Sequence, residues 1–242
     1  MALVMISGLR GGVGVTSIAA NLAMTIASGG HSTVVLDLSQ ASTLGLHFGL
    51  DPRQPVPGFD APAAATGPIH GVRLLNAAPQ AVSKDLGEGL SSGDFSFTGE
   101  VVHIADLSGA DPGAAVQLRP HADLEICVLV PSAECLYHLP AALDSLPAET
   151  VFVLNRCDDT RRLGRHTASF VRELLGPRLI ATIHADEAVA EAGAMMQPLA
   201  RHSPASAALA DIGAIAGRIA LLAAPSLPVE ATGIRPSRSN AA

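Results

Sequence analysis

Residues 8–17 read Gly8-Leu9-Arg10-Gly11-Gly12-Val13-Gly14-Val15-Thr16-Ser17. Glycines at 11, 12 and 14 let backbone N–H groups converge on an anion. A helix starting at their end adds the positive end of its dipole. Phosphate capture is the chemistry this spacing suits, with the Thr16 hydroxyl standing where a Mg²⁺ ligand is needed. The pattern GxxxxGK[ST] is incomplete, because Leu9 takes the first glycine position and Val15 the lysine position. The competing reading is a tight turn that only packs a helix on a sheet. Three glycines in four residues, followed by Thr-Ser at a strand-to-helix junction, favour phosphate.

The elements that must position this loop are visible as short β-branched runs alternating with Ala/Leu-rich segments. Strands are expected at Leu3 to Ser7, Thr33 to Asp37, Val72 to Asn76, Val101 to Asp106, Leu124 to Val130, Val151 to Asn155 and Leu179 to Ile183. Most are continuous apolar runs without period-2 alternation, as strands covered by helices on both faces require. Helices are expected at Thr16 to Ser28, around Ala114 to Arg119, and at Ala133 to Ser145, Leu163 to Leu175 and Ala205 to Ala223. The fold class is α/β, a three-layer, mostly parallel twisted sheet flanked by helices. One domain over residues 1–224 is expected. A Pro/Gly/Ala-rich loop at about 51–70 reads as mobile, and residues 225–242 read as a disordered tail.

The chain of 242 residues carries 15 basic and 22 acidic side chains, for a net charge of -7. Lys84 is the single lysine beside fourteen arginines. This acidity, with no arginine run, argues against direct nucleic-acid binding. The N-terminus lacks a positive region before its short apolar stretch, and no run reaches the roughly 20 apolar residues of a membrane span. A cytoplasmic protein is the expectation. Cys127, Cys135 and Cys157 have no CxxC spacing and read as buried, inert thiols. The nine histidines show no HxxxH or HExxH spacing, and Ser7, Ser17 and Ser108 lie in no GxSxG elbow, so neither a zinc site nor a serine hydrolase is indicated. The cluster from Arg156 to Arg165 reads as a solvated charged face on which a partner can dock.

Arg10 to Thr16 resembles the deviant Walker A motif KGGVGKT of the MinD/ParA class of dimeric ATPases, with Arg10 at the signature lysine and Val15 at the P-loop lysine. Within that class the nearest resemblance is to the BcsQ family of the bacterial cellulose-synthase operon, whose loop RGGVG likewise lacks the second lysine. At the far end, Ile183 to Glu191 (IHADEAVAE), then Gln197-Pro198-Leu199, is similar to that family's IHRDEAMAE…QPV segment. Landmarks span residues 3–215, while Asp51 to Glu100 is unanchored.

The resemblance implies a MinD-like P-loop NTPase fold that binds ATP and Mg²⁺. It matches Asp37 to the first switch I aspartate and Asp106 to the Walker B and switch II aspartate, so that Thr16, Asp37 and Asp106 become the metal candidates. Read locally, Asp106 is also an N-cap or turn aspartate after a strand. Asn155-Arg156 matches the purine-recognition position, where a turn asparagine is the local alternative. The implied nucleotide residues are Arg10, Gly11, Gly12, Val13, Gly14, Val15, Thr16, Ser17, Asn155 and Arg156. Hydrolytic members place a water-positioning aspartate two residues after the first; this chain has Ser39 there, so no catalytic residue is assigned.

Losing the P-loop lysine removes a charge-assisted contact worth about 1.5 to 3 kcal/mol, which backbone, dipole and metal can survive. Losing a cation at developing phosphoryl charge costs two or more orders of magnitude in rate. ATP held but hydrolysed slowly or not at all is the expectation, with Arg10 reaching across a homodimer. The implied role is an accessory of bacterial cellulose synthesis and secretion, working with synthase components or a small adaptor protein. Membrane recruitment, to the inner membrane or a pole, would be indirect, because the apolar C-terminal helix lacks the basic face of a membrane-targeting one. The alternatives are a MinD/ParA-like positioning or pilus-assembly ATPase, and a nucleotide-free scaffold.

Overall fold

The structure, a computed structural model, describes residues 3–61, 67–97 and 100–223. Seven parallel strands form one sheet in the order β3-β2-β4-β1-β5-β6-β7. They are β1 (Leu3–Gly8), β2 (Thr33–Asp37), β3 (Val72–Asn76), β4 (Val102–Asp106), β5 (Leu124–Leu129), β6 (Val151–Cys157) and β7 (Leu179–His184). All seven expected strands are present. Their sides alternate as burial demands: Val4 and Ile6 pack with Ile18, Leu22 and Ile26, whereas Leu3 and Met5 pack with Leu86, Leu90, Ala114 and Leu118. A strand sandwiched in this way needs apolar residues at every position.

The helices are α1 (Val15–Ser28), α2 (Leu44–His47), α3 (Ala78–Ser83), α4 (Asp85–Ser92), α5 (Pro112–Leu118), α6 (Ala133–Ser145), α7 (Arg162–Leu175), α8 (Glu187–Ala194), α9 (Leu199–His202) and α10 (Ala207–Ala223). The five expected helices are α1, α5, α6, α7 and α10. The other five were not anticipated. α3 and α4 carry Pro, Gly and Ser, weak helix formers, and tertiary contacts hold them: the Gln117 side chain accepts from Gly87 N at 3.0 Å and donates to Ala81 O at 2.7 Å. Leu86 is fully buried beneath them.

Part of the segment expected to be mobile is tied down. Phe59 N donates to Asn76 O at 2.9 Å and Asn76 N to Pro57 O at 2.7 Å, which fastens it to the end of β3. Residues 62–66 of that segment, and the expected tail 225–242, lie outside the described residues. The three cysteines are buried and unpaired; burial pushes the Cys127 thiol up to about 12, which makes it inert. No helix among the described residues is long and apolar enough to cross a membrane.

Candidate nucleotide site

The chain direction across the sheet reverses at β1, which leads to β2 on one side while β5 lies on the other. Ligands of open α/β sheets bind at such a switch point, at the carboxyl ends of the strands. The glycine loop lies there. Leu9 N donates to Val128 O at 2.8 Å, which docks the loop on β5. Gly12 and Gly14 adopt φ of +77° and +98°, a region that favours glycine. Gly14 is also the N-cap of α1 and supplies no side-chain cap, so the amides of the first turn are left to an external acceptor.

The loop is braced from β6. Asn155 Nδ2 donates to Val13 O at 2.8 Å, Arg156 Nη1 donates to Gly12 O at 3.1 Å, and Asn155 Oδ1 accepts from Arg156 N at 2.9 Å. Asn155 is buried. The sequence match made it a purine reader; its visible bonds make it a strut of the phosphate loop. Val13 and Val15 have side chains in the core, so only their backbones can serve a ligand. Arg10 and Gly11 are exposed. The Arg10 side chain makes one long contact, 3.5 Å to Gly11 O, and lies towards Glu134. The Glu134 carboxyl is held down chiefly by its own backbone N–H at the start of α6, and in small part by Arg10.

Asp37 and Asp106, register partners on β2 and β4, differ in their bonding. Asp37 Oδ1 accepts from Ser39 N at 3.0 Å, and Oδ2 accepts from the Ser42 hydroxyl. Both oxygens are engaged, which sets Asp37 apart from a ready metal ligand. Asp106 Oδ1 accepts from Ser108 N at 2.9 Å, while Oδ2 is buried without a hydrogen-bond partner among the described residues. Burial pushes the Asp106 carboxyl up to about 6, against the Ser108 N–H and the Thr16 hydroxyl, which favour its charged form; the Asp37 charge adds to the rise. Burial also raises the Asp37 carboxyl, offset by Ser42 and Ser39. Ser39 itself is drawn into a backbone bridge with Ala110, which ties the segment after β2 to the one after β4.

A cleft of about 900 Å³ opens over the loop. Gly12, Gly14, Thr16, Ser17, Asn155 and Arg156 line it, as do Ser108, Thr43 and His47 and, on the far side, His184 to Glu187. Arg10, Gly11, Asp37 and Asp106 do not. Ser42 and the contact between His184 and Asp211, at 2.8 Å, were missed by sequence reasoning; His184 stands in the family-like segment, but its partner lies 27 positions on, outside it. Asp186 caps α8, accepting from Ala188 N at 3.0 Å, and it also holds the Ser206 hydroxyl at 2.6 Å, beside the start of α10.

The donor set fits a nucleotide and its metal: uncapped amides, glycines in left-handed backbone lining the cleft, and an unsatisfied buried carboxylate oxygen near a threonine hydroxyl. Thr16 and Asp106 fit a hard cation that prefers oxygen ligands. Asp37 fits only if Ser42 releases it.

Solved structures share this architecture. The septum site-determining protein MinD of Pyrococcus horikoshii OT3, complexed with Mg-ADP, is 20% identical over 92% of this chain and 97% of that one, with a TM-score of 0.69. A ParA family ATPase from Chlorobium tepidum TLS is 18% identical over 89% and 98%, at 0.66. MinD in the MinC:MinD cell division complex of Aquifex aeolicus is 18% identical over 95% and 99%, at 0.67. At these identities the likeness shows the fold, that of the MinD/ParA ATPases. None of the curated proteins matches the chain. The profile of one family, described as cellulose biosynthesis protein BcsQ, matches residues 1–65 and 103–219. These two segments cover most of the chain and take in the phosphate loop, both strand-end aspartates and the Asn155-Arg156 brace, and on that match the chain belongs to the BcsQ family.

Proposed function

We propose that this protein binds Mg-ATP in the cleft over residues 11–17, pairs with a second copy in the nucleotide-loaded state, and acts as an accessory in bacterial cellulose synthesis and secretion with little or no turnover of the nucleotide. One observation carries the reading: a glycine loop braced by Asn155 and Arg156 presents uncapped α1 amides beside the half-satisfied Asp106. Thr16 and Asp106 would hold Mg²⁺, whose chemistry is to neutralise and orient phosphate oxygens. The loop amides would bind and orient the phosphates.

The same geometry argues for slow hydrolysis. Val15 is buried and apolar where the class has a lysine, and Ser39 brings no carboxylate to position a water. Without a cation at the transferring phosphoryl group, rates fall by orders of magnitude. Exposed Arg10 does not line its own cleft, which leaves its guanidinium available to another protomer's phosphates. MinD of Aquifex aeolicus is known in complex with MinC; by analogy the loaded dimer would present its surface to a synthase component or adaptor, which would bring it to the inner membrane.

Titration with a fluorescent ATP analogue tests binding, and absence of saturable binding at millimolar Mg-ATP would leave a nucleotide-free scaffold. Sedimentation with and without Mg-ATP tests pairing. The wild type should shift to a dimer with nucleotide and Arg10→Ala should not; equal dimerisation in every sample rejects the trans role.

A further inference from the structure

The phosphate loop lacks its lysine, yet the cleft contains a guanidinium that no ion pair claims. Four residues that are or can be cationic line it: Arg156, Arg161, His47 and His184. Arg161 is paired with Asp158 at 3.0 Å and His184 with Asp211 at 2.8 Å. His47 is pushed toward its neutral form by burial. Arg156 has no carboxylate partner among the described residues, and its backbone stands at φ +54°, a strained region for a residue with a side chain. Asn155 Oδ1 holds that turn by accepting the Arg156 N–H.

The turn throws the side chain back over the loop. Nη1 reaches Gly12 O at 3.1 Å, and Nη2 stands 3.8 Å from where a Cβ on Gly14 would be. One of the five guanidinium N–H donors is spent on Gly12; the others remain available, and a planar fork suits phosphate oxygens. We infer that Arg156 supplies in cis, from the end of β6, the positive charge toward nucleotide phosphates that Val15 cannot supply from the loop. The inference rests on the nucleotide-binding reading above and assigns the phosphate charge within one protomer to Arg156, leaving Arg10 to the partner.

Calorimetric titration of the full chain with Mg-ADP and with adenosine, which lacks phosphates, tests it on wild type, Arg156→Gln and Arg156→Lys. Arg156→Gln should weaken Mg-ADP tenfold or more and adenosine by no more than about twofold, and Arg156→Lys should stay within about threefold of wild type for both. Retained Mg-ADP affinity in Arg156→Gln overturns the inference. So does a parallel loss of both ligands, which marks a loop brace alone. If the glutamine variant does not fold, the lysine variant decides: a tenfold loss of Mg-ADP in a folded Arg156→Lys overturns it as well. Wild type that fails to bind Mg-ADP removes the nucleotide reading itself, whereas wild-type binding with an indifferent Arg156→Gln removes only this inference.

Discussion

Asp37 and Asp106 stand opposite one another at the carboxyl ends of adjacent parallel strands, and of the two only Asp106 keeps an oxygen without a hydrogen-bond donor among the described residues. The inequality comes from the Ser42 hydroxyl, which closes the second oxygen of Asp37. Two carboxylates that look interchangeable as strand-end aspartates are thereby divided, one into the local structure and one toward a ligand.

The unsatisfied carboxylate costs stability. A folded-state value raised to about 6 means the folded protein holds that proton more tightly than the unfolded chain, so stability falls as pH rises from about 4 to about 6 and then levels. In Mg²⁺-free buffer near pH 8, Asp106→Asn should raise the unfolding free energy by roughly 1 to 3 kcal/mol, measured by urea denaturation. The same variant should bind Mg-ADP more weakly than wild type.

Gly14 has no room for a side chain. A Cβ there would lie 2.5 Å from Asn155 Nδ2, in a backbone at φ +98°. Gly14→Ala should therefore lose about 1 to 3 kcal/mol of stability by urea titration and lose binding of the fluorescent ATP analogue. Gly11→Ala is the control for the stability loss alone, because a Cβ there meets nothing within 4 Å of the protein.

Asp186 serves two helix starts at once, accepting from Ala188 N for α8 and from the Ser206 hydroxyl, with Ala208 N at 3.4 Å, for α10. Caps are worth about 1 kcal/mol each, so Asp186→Ala should cost about 2 kcal/mol in thermal or urea unfolding. Ser206→Ala should cost the smaller share.

His184 titrates above its ordinary value because the Asp211 carboxylate accepts from it and attracts its charge. The stabilisation from this pair is complete below about pH 6.5 and is lost as pH rises through the elevated value. NMR titration of the imidazole should give a midpoint above 6.5, falling toward that value in Asp211→Asn. An unchanged midpoint in the variant would show that the pair does not set it.

The seven strands and the phosphate loop were legible from composition because each is a local matter. Strands buried on both faces need unbroken apolar runs, and a loop that closes on phosphate needs glycine. α3 and α4 were not legible: Gly87, Gly89 and Ser83 are poor helix material, and Gln117, 30 residues beyond Gly87 and 36 beyond Ala81, holds that pair in place.

By itself the sequence determined a parallel α/β sheet, a glycine loop at its first strand, and a valine in place of the loop's charge. The single lysine, Lys84, joins α3 to α4 in a left-handed turn, so it has no part in the cleft. Only the tertiary structure decided which groups brace that loop and which carboxylate stays unsatisfied. Asn155 and Arg156 meet the loop 142 and 144 residues from their partners, and Ser42 selects between two aspartates on neighbouring strands. Contacts made by strand order and register leave no periodicity in the chain for a reader to find.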